Sequence, residues 1–95
     1  MNIETLRKKR KEILRIASQH GAKNIKVFGS VARGDSDEIS DVDFLVEMEP
    51  GRSLLDLGGL LMDLQEYLGC NVDVVTERGL KDRIKETVLK EAVTL

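Results

Sequence analysis

One cysteine, one proline and no tryptophan occur in this chain of 95 residues, and each scarcity closes off a class of protein. A lone thiol, Cys70, cannot form an internal disulfide, which argues against a stapled secreted scaffold. Two phenylalanines and one tyrosine leave the core to Leu, Ile and Val, and leave few rings to stack on nucleobases. No apolar run is long enough to span a bilayer and no charged-then-apolar leader is present, so the expectation is a soluble, cytoplasmic protein with no membrane partner. Acidic and basic residues nearly balance at a formal charge of −2, which gives no general electrostatic case for nucleic-acid binding. Repeats and low-complexity tracts are missing too. What is present fits a single domain over residues 1–95 with a modest aliphatic core.

The most informative stretch runs from Val27 to Val46, VFGSVARGDSDEISDVDFLV. Gly29-Ser30 ends one apolar run and Asp41-Val42-Asp43 opens the next. Side chains alternate along a strand, so Asp41 and Asp43 share one face while Val42, Phe44 and Val46 share the other. Two carboxylates this close are costly unless a cation sits between them or one takes a proton. Their oxygens suit a hard ion such as Mg²⁺. A Gly-Ser at a strand-to-helix turn offers unpaired N–H groups and a hydroxyl to an anion. Metal and phosphate ligands in one segment point to a nucleoside triphosphate.

The rest of the chain reads as support for that segment. Ile3, Leu6, Ile13, Ile16 and Ala17 predict an amphipathic helix to His20, stopped by Gly21, and its run Arg7 to Lys11 reads as a solvated face. Asn24–Phe28 is the first expected strand, Ser30–Arg33 a single helical turn, Gly34–Ser40 a polar loop and Asp41–Glu47 the second strand. Ser53 caps a helix with Leu54, Leu57, Leu61, Leu64 and Leu68 on one stripe, weakened by Gly58-Gly59, which is assigned to close packing against the sheet. Asn71–Thr76 is the third strand, and Leu80, Ile84, Val88 and Ala92 predict a last helix to Leu95. Strand, helix and strand in succession imply parallel neighbours with a right-handed crossover. Asp73 then comes out beside Asp41 and Asp43, although Glu47 and Glu77 are rival acids nearby. The expected fold is α/β (α+β), a small mixed three-stranded sheet with helices packed on one face.

Gly29-Ser30, the ten-residue gap, Asp41-x-Asp43 and the local Ala32-Arg33-Gly34 together resemble the signature of the DNA polymerase β-like nucleotidyltransferase superfamily. The small size resembles its minimal members, the MNT antitoxins that pair with HEPN toxins. That resemblance implies two Mg²⁺ ions held by Asp41 and Asp43, with Asp73 completing one metal site and assisting deprotonation of the acceptor. Ions about 3.5–4 Å apart activate the attacking hydroxyl and steady the leaving pyrophosphate. It also implies that Gly29 and Ser30 hold the β- and γ-phosphates of ATP. Arg33 would add a forked contact to phosphate or to the protein substrate, unless it merely pairs with Asp35 or Asp37. Larger members append an acceptor-holding domain for which this length leaves no room, so the acceptor is expected on another molecule. The implied activity is adenylylation of a tyrosine hydroxyl on a cognate HEPN ribonuclease toxin, within a hetero-oligomer. The rivals are a non-catalytic antitoxin that acts by covering its toxin, and a small-molecule adenylyltransferase of the aminoglycoside-resistance kind. His20 reads as a helix-end residue, and Tyr67 has no evident partner.

Overall fold

The strand that carries Asp43, β2 (Val42–Met48), lies inside a four-stranded sheet. The structure is a computed structural model and describes residues 1–35 and 41–95, so most of the polar loop expected over 34–40, with Asp37 and Ser40, lies outside the described residues. β2 pairs antiparallel with β1 (Ala22–Phe28) and parallel with β3 (Val72–Thr76). A two-residue strand, β4 (Val93–Thr94), adds to the outer edge of β1, giving the order β3-β2-β1-β4.

The fourth strand corrects the expected three. The last helix, α5, spans Asp82–Glu91 rather than running to Leu95, and a 3₁₀ turn at Glu77–Gly79 precedes it. The four-residue apolar spacing hides this stop, because Ala92 continues the pattern in sequence while its backbone is extended. Val93 and Thr94 are β-branched and fit a pleated edge better than a helix end. Their pairing with Val27 and Lys26 also brings Leu95 into the core.

The first helix is likewise divided, into α1 (Ile3–Lys8) and α2 (Arg10–Gln19). Asn2 caps α1 by accepting from the Thr5 N–H at 2.8 Å. The kink at Lys9 sets its Nζ 5.2 Å from the centre of the Tyr67 ring, a cation–π partner that sequence reading missed. Two residues of the basic run reach the C-terminal segment along the surface, Arg7 donating to the Thr94 carbonyl and Arg10 to the Leu95 carbonyl, each at 3.4 Å.

Helix α4 (Leu54–Leu68) crosses from β2 to β3, between a capping box and Gly69. The Asp56 carboxylate accepts from the Ser53 N–H at 2.9 Å, and the Ser53 hydroxyl accepts from the Leu55 N–H at 3.2 Å. The buried stripe is Leu60, Leu64 and Leu68, with Leu57 and Leu61 partly covered. Leu54 instead sits in solvent beside the cap. The Gly58-Gly59 packing partner is also different from expectation: Gly59 lies against the imidazole of His20, and nothing stands over Gly58. His20 is the C-cap residue of α2, and its Nε2 lies 2.6 Å from Oδ2 of Asp63 on α4.

These helices cover one sheet face. Val42, Phe44 and Val46 are sealed there with Leu6, Ile13, Ile16, Leu60 and Leu64. Full burial of each such side chain stabilises by about 1.5–3 kcal/mol. The other face departs from the expected one-sided packing: α5 packs there against β1 and the turn after it, and its Leu89 lines a small hollow with Leu45 and Lys26.

Candidate active site

Alternation along β2 places Asp43 on the face opposite Phe44, and the sheet register decides what stands beside it. Phe28 of β1 and Asp73 of β3 are its direct neighbours on either side. Parallel partners in register share a face, so Asp73 is beside Asp43 and not in the interior. Asp41 immediately precedes β2 and is exposed, as is Asp73, while Asp43 between them is half-buried. Glu77, a rival to Asp73, lies past the end of β3 and is ion-paired with Lys85 at 3.8 Å. Glu47 is ion-paired with Lys23 at 3.8 Å.

The turn after β1 completes the arrangement. Helix α3 (Gly29–Arg33) starts directly from the strand, and its N-cap residue, Phe28, makes no side-chain cap, so the first-turn N–H groups have no side-chain acceptor there. Gly29 has a φ of +76°, and a Cβ on it would collide with Oδ2 of Asp43. Only glycine satisfies both the backbone and the carboxylate at this point. The turn after β1 and the central acid are therefore in direct apposition. Ser30 is the next residue, and its carbonyl accepts from the Asp35 N–H at 3.1 Å.

Electrostatics mark Asp43 as the strained member. Burial first, then the charges of Asp73 and Asp41, push its carboxyl above the ordinary aspartate value, and the Arg33 guanidinium works against them. Yet among the described residues no three carboxylate, imidazole or thiol groups converge closely enough to grip one metal ion. The donor set is all carboxylate oxygen on adjacent strand positions, which is the chemistry a hard divalent cation requires.

Arg33 ends α3 with its charge held by two acids. Nε donates to Asp35 at 3.2 Å and Nη1 to Glu91 at 3.1 Å, and both partners raise its pKa. The Asp35 contact was foreseeable two residues away. Glu91 is 58 positions on, and no local pattern could have linked it to Arg33. Cys70 is no rival nucleophile, since burial pushes its thiol up, away from the reactive thiolate. A hollow of about 860 Å³ lies at the opposite ends of β2 and β3, between Met48, Ser53 and Thr76. Its Lys23, Arg52 and Lys85 are each paired with acids there. No helix among the described residues is long and apolar enough to cross a membrane.

Comparison with known proteins agrees with this geometry. The family described as nucleotidyltransferase domain matches residues 6–95. The protein adenylyltransferase MntA of Thermococcus cleftensis is 43% identical over 91 residues, covering 96% of this chain and 90% of its own. A solved structure of a candidate minimal nucleotidyltransferase is 50% identical with a TM-score of 0.88, covering 100% of this chain and 97% of the other. A toxin–antitoxin crystal structure with AMP-PNP shares the fold at 21% identity and a TM-score of 0.76, covering 88% of this chain and 69% of that one.

Proposed function

The chain belongs to the nucleotidyltransferase domain family, and on that premise we propose that it is an antitoxin that transfers AMP from MgATP to a tyrosine hydroxyl of a cognate HEPN ribonuclease toxin. The observation that carries the reading is the apposition of Gly29 and Asp43, with Asp73 in register beside the carboxylate. In this reading the turn takes the triphosphate and the acidic wall takes the divalent cations, at one point. The likeness to a protein adenylyltransferase over nearly the whole chain supports a protein acceptor, and the likeness to a toxin–antitoxin fold supports a toxin as that acceptor.

In this reading the acceptor oxygen attacks the α-phosphorus, an O–P bond forms, and the bond from that phosphorus to its β-bridging oxygen breaks. Pyrophosphate leaves, and the acceptor proton passes to Asp73. Asp41 and Asp43 hold the divalent cations, which when bound lower the pKa of the attacking hydroxyl and stabilise the charge on the leaving group. Gly29 and the Ser30 hydroxyl hold the terminal phosphates, and Arg33 adds a cationic contact. Co-expression with the cognate toxin should add adenylyl mass to the toxin, as read by intact-mass spectrometry. Asp43→Asn should remove the addition, and full modification by that variant refutes the reading.

A second reading, neutralisation by binding alone, draws on the outer side of α4, where Leu54, Leu55 and Met62 are 84%, 87% and 69% exposed. Apolar side chains displayed on one side of a helix suit a partner protein. Full protection of cells by Asp41→Asn and Asp43→Asn variants would favour this reading over transfer.

A further inference from the structure

Glu91 is the last residue of α5, at the helix end where the backbone dipole favours cations and disfavours an acid. A local rule broken in this way asks for a compensating partner. The partner is Arg33, whose Nη1 lies 3.1 Å from Glu91 Oε1. Glu91 is also held firmly in place. Two residues after it the chain enters β4, whose Thr94 and Val93 pair with Lys26 and Val27, the residues that lead into Phe28 and the Gly29-Ser30 turn. The strand that ends in the candidate phosphate turn is thus the strand that anchors Glu91.

The donors of Arg33 are divided between directions. Nε is taken by Asp35 and Nη1 by Glu91, and among the described residues no acceptor engages Nη2. A guanidinium gripped at two nitrogens has its plane fixed, and its third nitrogen presents two N–H groups in a set direction. The same guanidinium is close enough to Asp43 to lower its proton affinity, so it belongs to the field of the acidic site.

We propose that Glu91 is a positioning residue, which locks the Arg33 guanidinium so that Nη2 meets the triphosphate of the incoming nucleotide. The proposal rests on the reading of the site as a nucleotide site. It yields an effect opposite in sign to simple charge. Removing an acid near a polyanion should tighten binding, whereas removing the brace should weaken it.

The test is the dissociation constant of the whole chain for a non-hydrolysable ATP analogue with Mg²⁺, measured by calorimetry. Glu91→Gln should weaken binding by about threefold to fivefold, the range of a partly exposed ion pair. In an Arg33→Ala background the same change should bring no further weakening. Glu91→Asp, which keeps the charge, should recover part of the loss, with an unfolding midpoint that identifies any folding defect. Unchanged or tighter binding by Glu91→Gln overturns the proposal, as does equal weakening in the Arg33→Ala background. A wild-type chain that does not bind the analogue refutes the nucleotide reading and the proposal with it, whereas binding by wild type that is matched by Glu91→Gln overturns the proposal alone.

Discussion

The two faces of β2 are built to opposite ends. Towards the helices, Val42, Phe44 and Val46 are fully or almost fully buried and every atom gains by being there. Towards the turn after β1, Asp43 is half-buried between two more acids and its charge is disfavoured. Alternation along one strand delivers both, so the core face supplies the stability that lets the acidic face remain strained. Stability and activity should therefore respond to substitutions on the two faces in opposite directions.

The most damaging change on the core face should be Phe44→Ala. The ring is fully buried among aliphatic neighbours and its removal leaves a cavity, at a cost of about 3–5 kcal/mol. Against a total of about 5–15 kcal/mol for a domain, a large share of the chain unfolds. Chemical denaturation should show a lower midpoint with an unchanged slope.

One residue away, Asp43→Asn should do the reverse. On the proposed function, transfer activity should fall by about a thousandfold or more, because the carboxylate would there be a metal ligand acting on several kcal/mol of transition-state charge. Without divalent cations the variant should nonetheless melt a few degrees higher. Asp43 has a native pKa above its unfolded value, so the native state holds more protons between the two. Stability therefore falls as pH rises through that interval, and the cost of the charge is fully present above the folded pKa. Thermal melts of the metal-free wild type between pH 4 and pH 7 should show this decline, and Asp43→Asn should flatten it. Added Mg²⁺ should raise the wild-type midpoint more than that of the variant.

Much of this contrast was legible in the chain alone, for identifiable reasons. Period-two alternation places Asp41 and Asp43 opposite Phe44 without knowledge of tertiary structure, and the strand–helix–strand order puts Asp73 in register. What stands against Gly29 was not legible: the Asp43 carboxylate fills the place where a Cβ would be. The misses share a cause, since each depends on contacts between distant segments. Leu95 joins the core only because β1 leaves an edge open for β4. The phase of the α4 stripe, centred on Leu60, is set by the surface beneath it. Glu91 meets Arg33, and Lys9 meets Tyr67, only after the elements pack.

The finest form of the comparison uses two adjacent glycines on α4. Both cost the helix about 1 kcal/mol relative to alanine. Gly58 has open space where a Cβ would stand, so Gly58→Ala should recover that stability in full. At Gly59 the new carbon would lie 2.9 Å from Cε1 and 3.0 Å from Nδ1 of His20, and the ring must swing away. That movement sacrifices the 2.6 Å contact with Asp63, a partly exposed bond that contributes on the order of 1 kcal/mol. Helix gain and lost contact then nearly cancel, leaving Gly59→Ala about 1 kcal/mol less stable than Gly58→Ala. A His20→Ala background should erase the difference, since both glycines would then face open space. Denaturation midpoints of the four chains measure this directly, and a gap that survives without the imidazole would place the constraint on Gly59 elsewhere.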